Sequence, residues 1–219
     1  MNLNNFKLIR FSETLIIFFF FILLLIIGFL SIGDYGVSID EIAYKRDALV
    51  QYEFIKNFLF NNYNNLGEIY EELHSKSTKL PSFFYILVFL VNDIFKLFDI
   101  YIDLFKIAHI VNFTLFILAC FCFFNIIRNN FNNKLYSYLG VLILFTTPRF
   151  FAESFYNNRD IYFLSIFLIN LYFVEKLFHN LNYKNILIYS FFASLCINAR
   201  IFGLINFFIV FIFLLLEYD

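Results

Sequence analysis

The sequence predicts an all-α protein, a polytopic transmembrane helical bundle of about six spans with juxtamembrane helices in its first outer loop. Three observations predict it. The chain is 62% hydrophobic and only 15% charged, whereas soluble domains run nearer half apolar and a quarter charged. Its apolar residues come in long blocks rather than in amphipathic stripes. Its charges collect between those blocks and leave the block interiors nearly clean. Residues 1–219 read as a single membrane module, with residues 14–30 as the first span, 33–103 as an outer loop and 104–216 as the remaining spans.

The first span, Thr14–Leu30, follows Lys7 and Arg10. It exceeds the usual length of a signal-peptide core, and no small-x-small cleavage site follows. A retained signal anchor with a cytoplasmic N-terminus is therefore expected. Beyond Gly33, the stretch Asp40–Lys79 alternates Ile42, Leu49 and Tyr52 with Lys45, Arg46, Asp47, Glu53 and Lys56, a partly amphipathic helical pattern. The run from Asn61 to Gly67 is a turn. Pro81–Phe98 is apolar over Ser82–Val91, but Asn92, Asp93, Lys96 and Asp99 follow within two turns. Charge near mid-bilayer costs a few kcal/mol. This segment is thus expected to lie at the interface, with Pro81 in its first turn.

Five further spans are expected at Leu104–Ile127, Leu135–Thr147, Ile161–Phe178, Ile186–Ala199 and Phe202–Leu216. With Pro81–Phe98 not crossing, Arg128, Lys134, Lys176 and Lys184 fall on the cytoplasmic side, as the excess of positive charge in short inner loops requires. The outer segment 33–79 and the loop Pro148–Asp160 then share the outer face. An integral protein of the plasma (inner) membrane with its site on the outer, periplasmic face is the expectation.

A net charge of −1 suggests no nucleic-acid partner. Cys120, Cys122 and Cys196 all lie inside apolar runs, and residues two apart sit roughly 200° apart on a helix. They read as small core residues. No P-loop, glycine-rich nucleotide fingerprint or zinc-finger spacing is present.

Two clusters can carry chemistry. Asp40 and Glu41 stand about ten residues past the first span. Adjacent residues point in different directions, so Asp40 is assigned the reacting centre and Glu41 a supporting hydrogen bond or a metal. The competing account is a solvated acidic turn that caps the following helix. The second cluster, Pro148 to Asp160, holds Arg149, Glu153, Arg159 and Asp160. Asp160 opens the next span and is expected to cap it. Arg149 and Arg159 can grip a phosphate in bidentate fashion or anchor the interface. Arg200, between two apolar runs, reaches either lipid headgroups or an anionic ligand. His74, Lys76 and Lys79 precede Pro81, and His109 and Asn112, one turn apart, share a helix face. Those two either line a polar cavity or bond helix to helix.

These segments, in order, resemble the polytopic GT-C glycosyltransferases that use polyprenyl-phosphate sugars, closest to the protein O-mannosyltransferase and aminoarabinose-transferase types. The family pattern has an acidic motif ending in Asp-Glu after the first span, here Asp40-Glu41. A Pro-containing element before a juxtamembrane helix is matched loosely by Lys79-Leu80-Pro81, with its second Pro absent. The basic residue that opens the second span is Lys106 or His109. Pro148 through Asp160-Ile161-Tyr162-Phe163-Leu164 matches the next loop and span, and the run Ala193 to Gly203, with Arg200, matches a small-residue helix ending in a basic residue.

The resemblance implies a mechanism. Asp40 acts as general base on an acceptor hydroxyl or amine, with Glu41 and Asp160 completing an acidic site. Arg149, Arg159 and Arg200 balance the phosphate of a polyprenyl-phosphate donor, and Lys79 and His109 are further site candidates. The acceptor is a lipid, a glycan or a protein. Relatives differ in metal use, so a divalent ion held by Asp40, Glu41 and Asp160 stays an open alternative. Family members run to several hundred residues, so the chain is expected to be an N-terminal portion or to depend on a partner chain for further spans. The rival expectations are a non-enzymatic transporter segment or assembly factor, and an inactive truncated remnant.

Overall fold

In a computed structural model of the chain, residues 3–59, 83–131 and 133–217 are described, and among them the backbone is helical with no strand. The helices are α1 (Leu3–Ser31), α2 (Ile39–Leu59), α3 (Phe83–Leu97), α4 (Leu104–Phe131), α5 (Lys134–Thr146), α6 (Pro148–Tyr156), α7 (Asp160–His179), α8 (Tyr183–Ala199) and α9 (Ile205–Glu217). Short 3-10 turns at Ile32–Asp34 and Ile201–Leu204 follow α1 and α8. The expected turn at Asn61–Gly67, and His74, Lys76, Lys79 and Pro81, lie outside the described residues.

Three helices are long and apolar enough to cross a membrane: Ser12–Asp34, Leu104–Phe131 and Asp160–His179. A fourth span exists if α5 and α6, bent by 63° at their junction, count as one. The expected six spans are therefore corrected to three or four. Length is the physical reason. The 17 residues of α8 and 13 of α9 rise only about 26 Å and 20 Å at ~1.5 Å per residue, short of a hydrocarbon core of about 30 Å. The α5–α6 break has a local cause. Thr147 precedes Pro148, whose ring disfavours the helical region for the residue before it, and Thr147 is extended at φ −61°, ψ 115°.

Side-chain pairs set the helix directions. Phe29 meets Phe113 while Phe21 meets Phe121 and Phe124, so α1 runs antiparallel to α4. Asn112 bonds the Asn157 carbonyl at one end of α4 and Asn130 bonds Glu175 at the other, so α7 runs parallel to α4. The contact of Arg200 with Asp160 and the stacking of Phe192 on Phe173 make α8 antiparallel to α7. One end of the bundle thus gathers the end of α1, the starts of α2, α4 and α7, the α6–α7 junction and the end of α8. The other end carries the Lys134–Glu13 ion pair and Lys176, whose ammonium lies 4.5 Å from the Tyr172 ring centroid.

Helix α4 is the central pillar. Its Phe113, Phe116, Cys120 and Phe124 bury against α1 and α5–α6, and its Ile107, Ala108, Ala119 and Cys122 against α3, α7 and α8. Cys120, Cys122 and Cys196 are all buried free thiols. Helix α3 buries Phe84, Tyr85, Val88 and Phe89 and is 15 residues long. It ends in a Schellman turn in which Ile100 N–H donates to the Phe95 carbonyl and Asp99 N–H to that of Lys96. Asp99 takes the left-handed position at φ 57°.

A polar clasp joins α2 to α3. The Tyr52 hydroxyl donates to Asp93 at 2.7 Å, with Lys56 and Lys96 each 3.6 Å away. Burial and the bonded Asp93 carboxylate push the Tyr52 phenol up to about 12. Burial works to raise the Asp93 carboxyl, but the Tyr52 bond and the two lysines outweigh it and hold it low. The Asp93 contribution to stability is therefore present above the ordinary carboxylate range and is lost as pH falls through its lowered value.

Aromatic stacking ties α1, α4 and α6 together. Phe113 stacks on Phe155 at 5.0 Å and 8°, and Tyr35 stacks on Phe155 at 4.5 Å and 19°. Gly28 admits this stack, because a Cβ there would lie 1.8 Å from the tip of the fully buried Phe113 ring. Gly28→Ala must displace that ring, so it is expected to cost about 1–3 kcal/mol and to lower the midpoint of thermal unfolding in detergent. An unchanged midpoint would contradict this close approach.

Candidate functional site

The start of α2 follows directly from its sequence. Ser38 and Glu41 form a capping box. Glu41 N–H donates to the Ser38 hydroxyl at 3.3 Å, and Ser38 N–H donates back to Glu41 Oε2 at 2.8 Å. Glu41 is only 1% exposed, and its other oxygen, Oε1, lies 3.1 Å from His109 Nε2 on α4. Asp40 is turned away from this buried pair and is exposed. The helix cap is thus Ser38; of the solvated, capping acidic turn expected from sequence, Asp40 is solvated but does not cap, and Glu41 is buried rather than solvated.

The opposing wall is the α6–α7 junction. The Asn157 side-chain oxygen accepts the N–H groups of Arg159 and Asp160, at 3.3 and 2.9 Å. Asp160 therefore does not cap α7, which corrects the sequence expectation; it sits in the first turn, where a carboxylate suits the positive end of the helix. Asn157 is held in turn by Glu153 through its amide and by Asn112 through its carbonyl. Asn158 donates to the Tyr85 hydroxyl at 2.9 Å. Burial and the nearby Glu41 charge push the Tyr85 phenol far above its ordinary range, which keeps that hydroxyl protonated.

Between these walls lies a polar cavity of about 190 Å³, lined by Ser38, Asp40, Tyr44, Tyr156, Asn157, Asn158, Arg159, Asp160 and Arg200. Arg200 reaches Asp160 through Nη2, and Arg159 Nη1 donates to the Tyr44 hydroxyl at 3.1 Å. The Nε groups of both arginines are buried without a hydrogen-bond partner among the described residues. Asp40 also has no partner among them. The cavity therefore combines one free carboxylate, one ion-paired carboxylate and two guanidinium groups with unspent donors. Such a set can take a proton from a hydroxyl and bind an anionic oxygen group at the same time.

Of the residues singled out from sequence, Asp40, Arg159, Asp160 and Arg200 meet in this cavity. Glu41 and His109 lie buried beside it, and His109 lines a separate cavity of about 240 Å³ with Asp103 and Lys106. Asp103 caps α4 by accepting the N–H groups of Phe105 and Lys106. Arg149 is not among the cavity residues; it is exposed and paired with Glu153 one turn along α6. Lys79 lies outside the described residues. Among the described residues no three His, Cys, Asp or Glu side chains converge as a metal-ligand group, and both oxygens of Glu41 are engaged elsewhere. That leaves Asp40 and Asp160 as the only two of the three proposed ligands that share the cavity.

Tyr44, Tyr156, Asn158 and Ser38 were not singled out from sequence. The spacing Ser38-x-x-Glu41 is a readable cap signal, as is Asn157 three residues before Asp160. Nothing in the sequence marks the two tyrosines among the 15 the chain contains.

Gly203 fixes where Arg200 points. A Cβ at this position would lie 2.4–2.6 Å from the backbone of Cys196 and Ile197, so the turn packs directly onto the end of α8. Arg200 leaves that end in an extended conformation, φ −154°, ψ 144°, with its N–H bonded to the Cys196 carbonyl. Gly203→Ala is expected to open this turn at a cost of about 1–3 kcal/mol and to lower the midpoint of thermal unfolding in detergent. An unchanged midpoint would contradict this close packing.

No protein-family model, curated protein or solved structure matches the chain.

Proposed function

We propose that this chain is a membrane glycosyltransferase of the GT-C type, or its N-terminal catalytic part, transferring a sugar from a polyprenyl-phosphate donor to a lipid, glycan or protein acceptor. The single observation that carries the reading is the meeting of Asp40 with Arg159, Arg200 and Asp160 in one polar cavity at one end of an apolar helical bundle. A lipid-linked anion arriving from the bilayer meets guanidinium groups there, and an acceptor hydroxyl meets an unpaired carboxylate.

In the proposed step the Asp40 carboxylate takes the proton of the acceptor O–H or N–H. The acceptor atom attacks the anomeric carbon from the face opposite the phosphate and forms the new glycosidic bond with inversion. The bond from the anomeric carbon to the phosphate oxygen breaks, and its electron pair leaves with the polyprenyl phosphate. Arg159 and Arg200 balance the growing negative charge, with Asp160 holding Arg200. A divalent ion, if bound, would rest on Asp40 and Asp160 and would neutralise phosphate charge.

Charge in the short connections supports an outward-facing cavity. Arg128, Lys134, Lys176 and Lys184 flank the connections opposite the cavity, with Lys7 and Arg10 ahead of the first span, whereas the short connections at the cavity end hold Arg149, Arg159 and Arg200. Short cytoplasmic loops carry the excess of positive charge, so in the proposed orientation the cavity faces outward and meets its polyprenyl-phosphate sugar there. A transporter would instead carry ionisable groups in mid-span. Here the cavity's charged groups lie at helix ends.

The test is transfer from radiolabelled polyprenyl-phosphate hexoses and pentoses in vesicles bearing the protein. Asp40→Asn is expected to lower turnover at least about 100-fold, while vesicle-bound protein and binding of polyprenyl phosphate stay at wild-type levels. Wild-type turnover by Asp40→Asn would remove the proposed base.

A further inference from the structure

The two walls of the cavity are both attached to α4, through His109 and Asn112, which lie three residues apart on one face of that helix. His109 holds the α2 wall. Its Nε2 lies 3.1 Å from Glu41 Oε1, and the other Glu41 oxygen closes the capping box with Ser38. Asn112 holds the α6–α7 wall by donating from Nδ2 to the Asn157 carbonyl at 3.2 Å. The Asn157 side chain in turn organises the N–H groups of Arg159 and Asp160. His109 is 3% exposed and Asn112 is 0% exposed, and neither lines the cavity.

Burial gives this linkage its force. A carboxylate in the protein interior is tolerated only when its oxygens are satisfied, so Glu41 has one acceptable rotation, with Oε1 on His109 and Oε2 on Ser38. Successive helix residues differ by about 100°. Fixing Glu41 inward therefore fixes the direction of Asp40. If His109 could no longer donate, Glu41 would turn to solvent, and α2 would have to roll and carry Asp40 with it.

We propose that His109 and Asn112 are a pair of positioning residues on α4 that set the separation between the general base and the phosphate-binding wall, His109 acting through Glu41 on Asp40 and Asn112 acting through Asn157 on Arg159 and Asp160. This rests on the reading of Asp40 as base and of the arginines as the phosphate grip. Because the two residues serve different walls, their variants separate kinetically. His109→Leu lowers turnover at saturating donor by about 10- to 100-fold, the usual effect of losing a supporting partner, and leaves the half-saturating donor concentration within about twofold. Asn112→Leu raises the half-saturating donor concentration by about tenfold or more. His109→Gln keeps an N–H donor for Glu41 and recovers most of the turnover, which a purely packing role for the ring would not allow.

The experiment pairs these kinetics with a measurement that needs no activity. In a background with Cys120, Cys122 and Cys196 replaced, nitroxides are placed on cysteines at Ile39 and Phe202, which are 86% and 71% exposed and outside the cavity lining. Their pulsed-dipolar distance distribution is expected to be single and narrow, to broaden or shift in His109→Leu and to narrow again in His109→Gln. A distribution unchanged by His109→Leu overturns the positioning role, as does a His109→Leu enzyme that loses donor affinity at full turnover. If the wild-type protein transfers no sugar, the function reading fails on its own, and the distance distributions still decide the positioning role.

Discussion

One buried carboxylate organises this end of the molecule. Glu41 is held inside the bundle by the Ser38 backbone and the His109 ring, and its burial has consequences in three directions. It starts α2 at a defined residue, it docks that helix onto α4, and it turns the neighbouring Asp40 to the cavity. Helix α2 has a weak claim to any other orientation. It exposes Ile39, Ile42, Leu49 and Phe58 while burying Glu41 and Asp47 alongside Ala48 and Tyr52, so apolar burial alone would not choose this face. The polar contacts do, together with the Tyr52–Asp93 clasp to α3 at the far end of the helix.

The rest of the bundle supplies rigidity to that arrangement. Helix α4 packs on its neighbours along its whole length and carries the Phe113–Phe155–Tyr35 stack beside the cavity. Stacking of this kind contributes about 0.5–1.5 kcal/mol per pair beyond area burial, and it links the end of α1 to α6 through Tyr35. The exposed faces of α1 and α9 are lined by Phe, Leu and Ile side chains, the surface expected where lipid replaces water as the solvent. A rigid apolar bundle with a polar end suits chemistry on a substrate whose tail stays in the bilayer and whose headgroup does not.

The helical membrane character was legible from block hydropathy, and Asp40, singled out for its place just past the first apolar run, does line the polar cavity. The different directions of Asp40 and Glu41 were legible too, since adjacent helix residues cannot face the same way. The number of spans was not. Apolar runs at Ile186–Ala199 and Phe202–Leu216 resemble spans in composition, but the helices they form are short and are joined by a tight turn at Gly203. The break at Thr147 had a sequence signal in Pro148, which a block-by-block hydropathy count passes over. Arg149, Arg159 and Arg200 looked equivalent as phosphate ligands. Helical phase separates them: Arg149 finds Glu153 four residues on, whereas Arg159 and Arg200 come together only through the antiparallel pairing of α7 and α8. The pairing of His109 with Glu41, 68 residues apart, is tertiary information that no local pattern carries.

The central claim is that two distant segments, at Asp40 and at Asp160 with Arg200, form one site at one end of a membrane-embedded bundle. The most direct measurement is labelling of single cysteines in intact cells with a membrane-impermeant thiol reagent, after replacement of Cys120, Cys122 and Cys196. Ile39, Phe202 and Asn180 serve as positions, each exposed, with Asn180 just past the opposite end of the α7 span. Cysteines at Ile39 and Phe202 should both label from outside, and one at Asn180 should label only after the membrane is opened. Labelling of Ile39 and Phe202 from opposite sides would place Asp40 and Arg200 in different compartments and contradict the account.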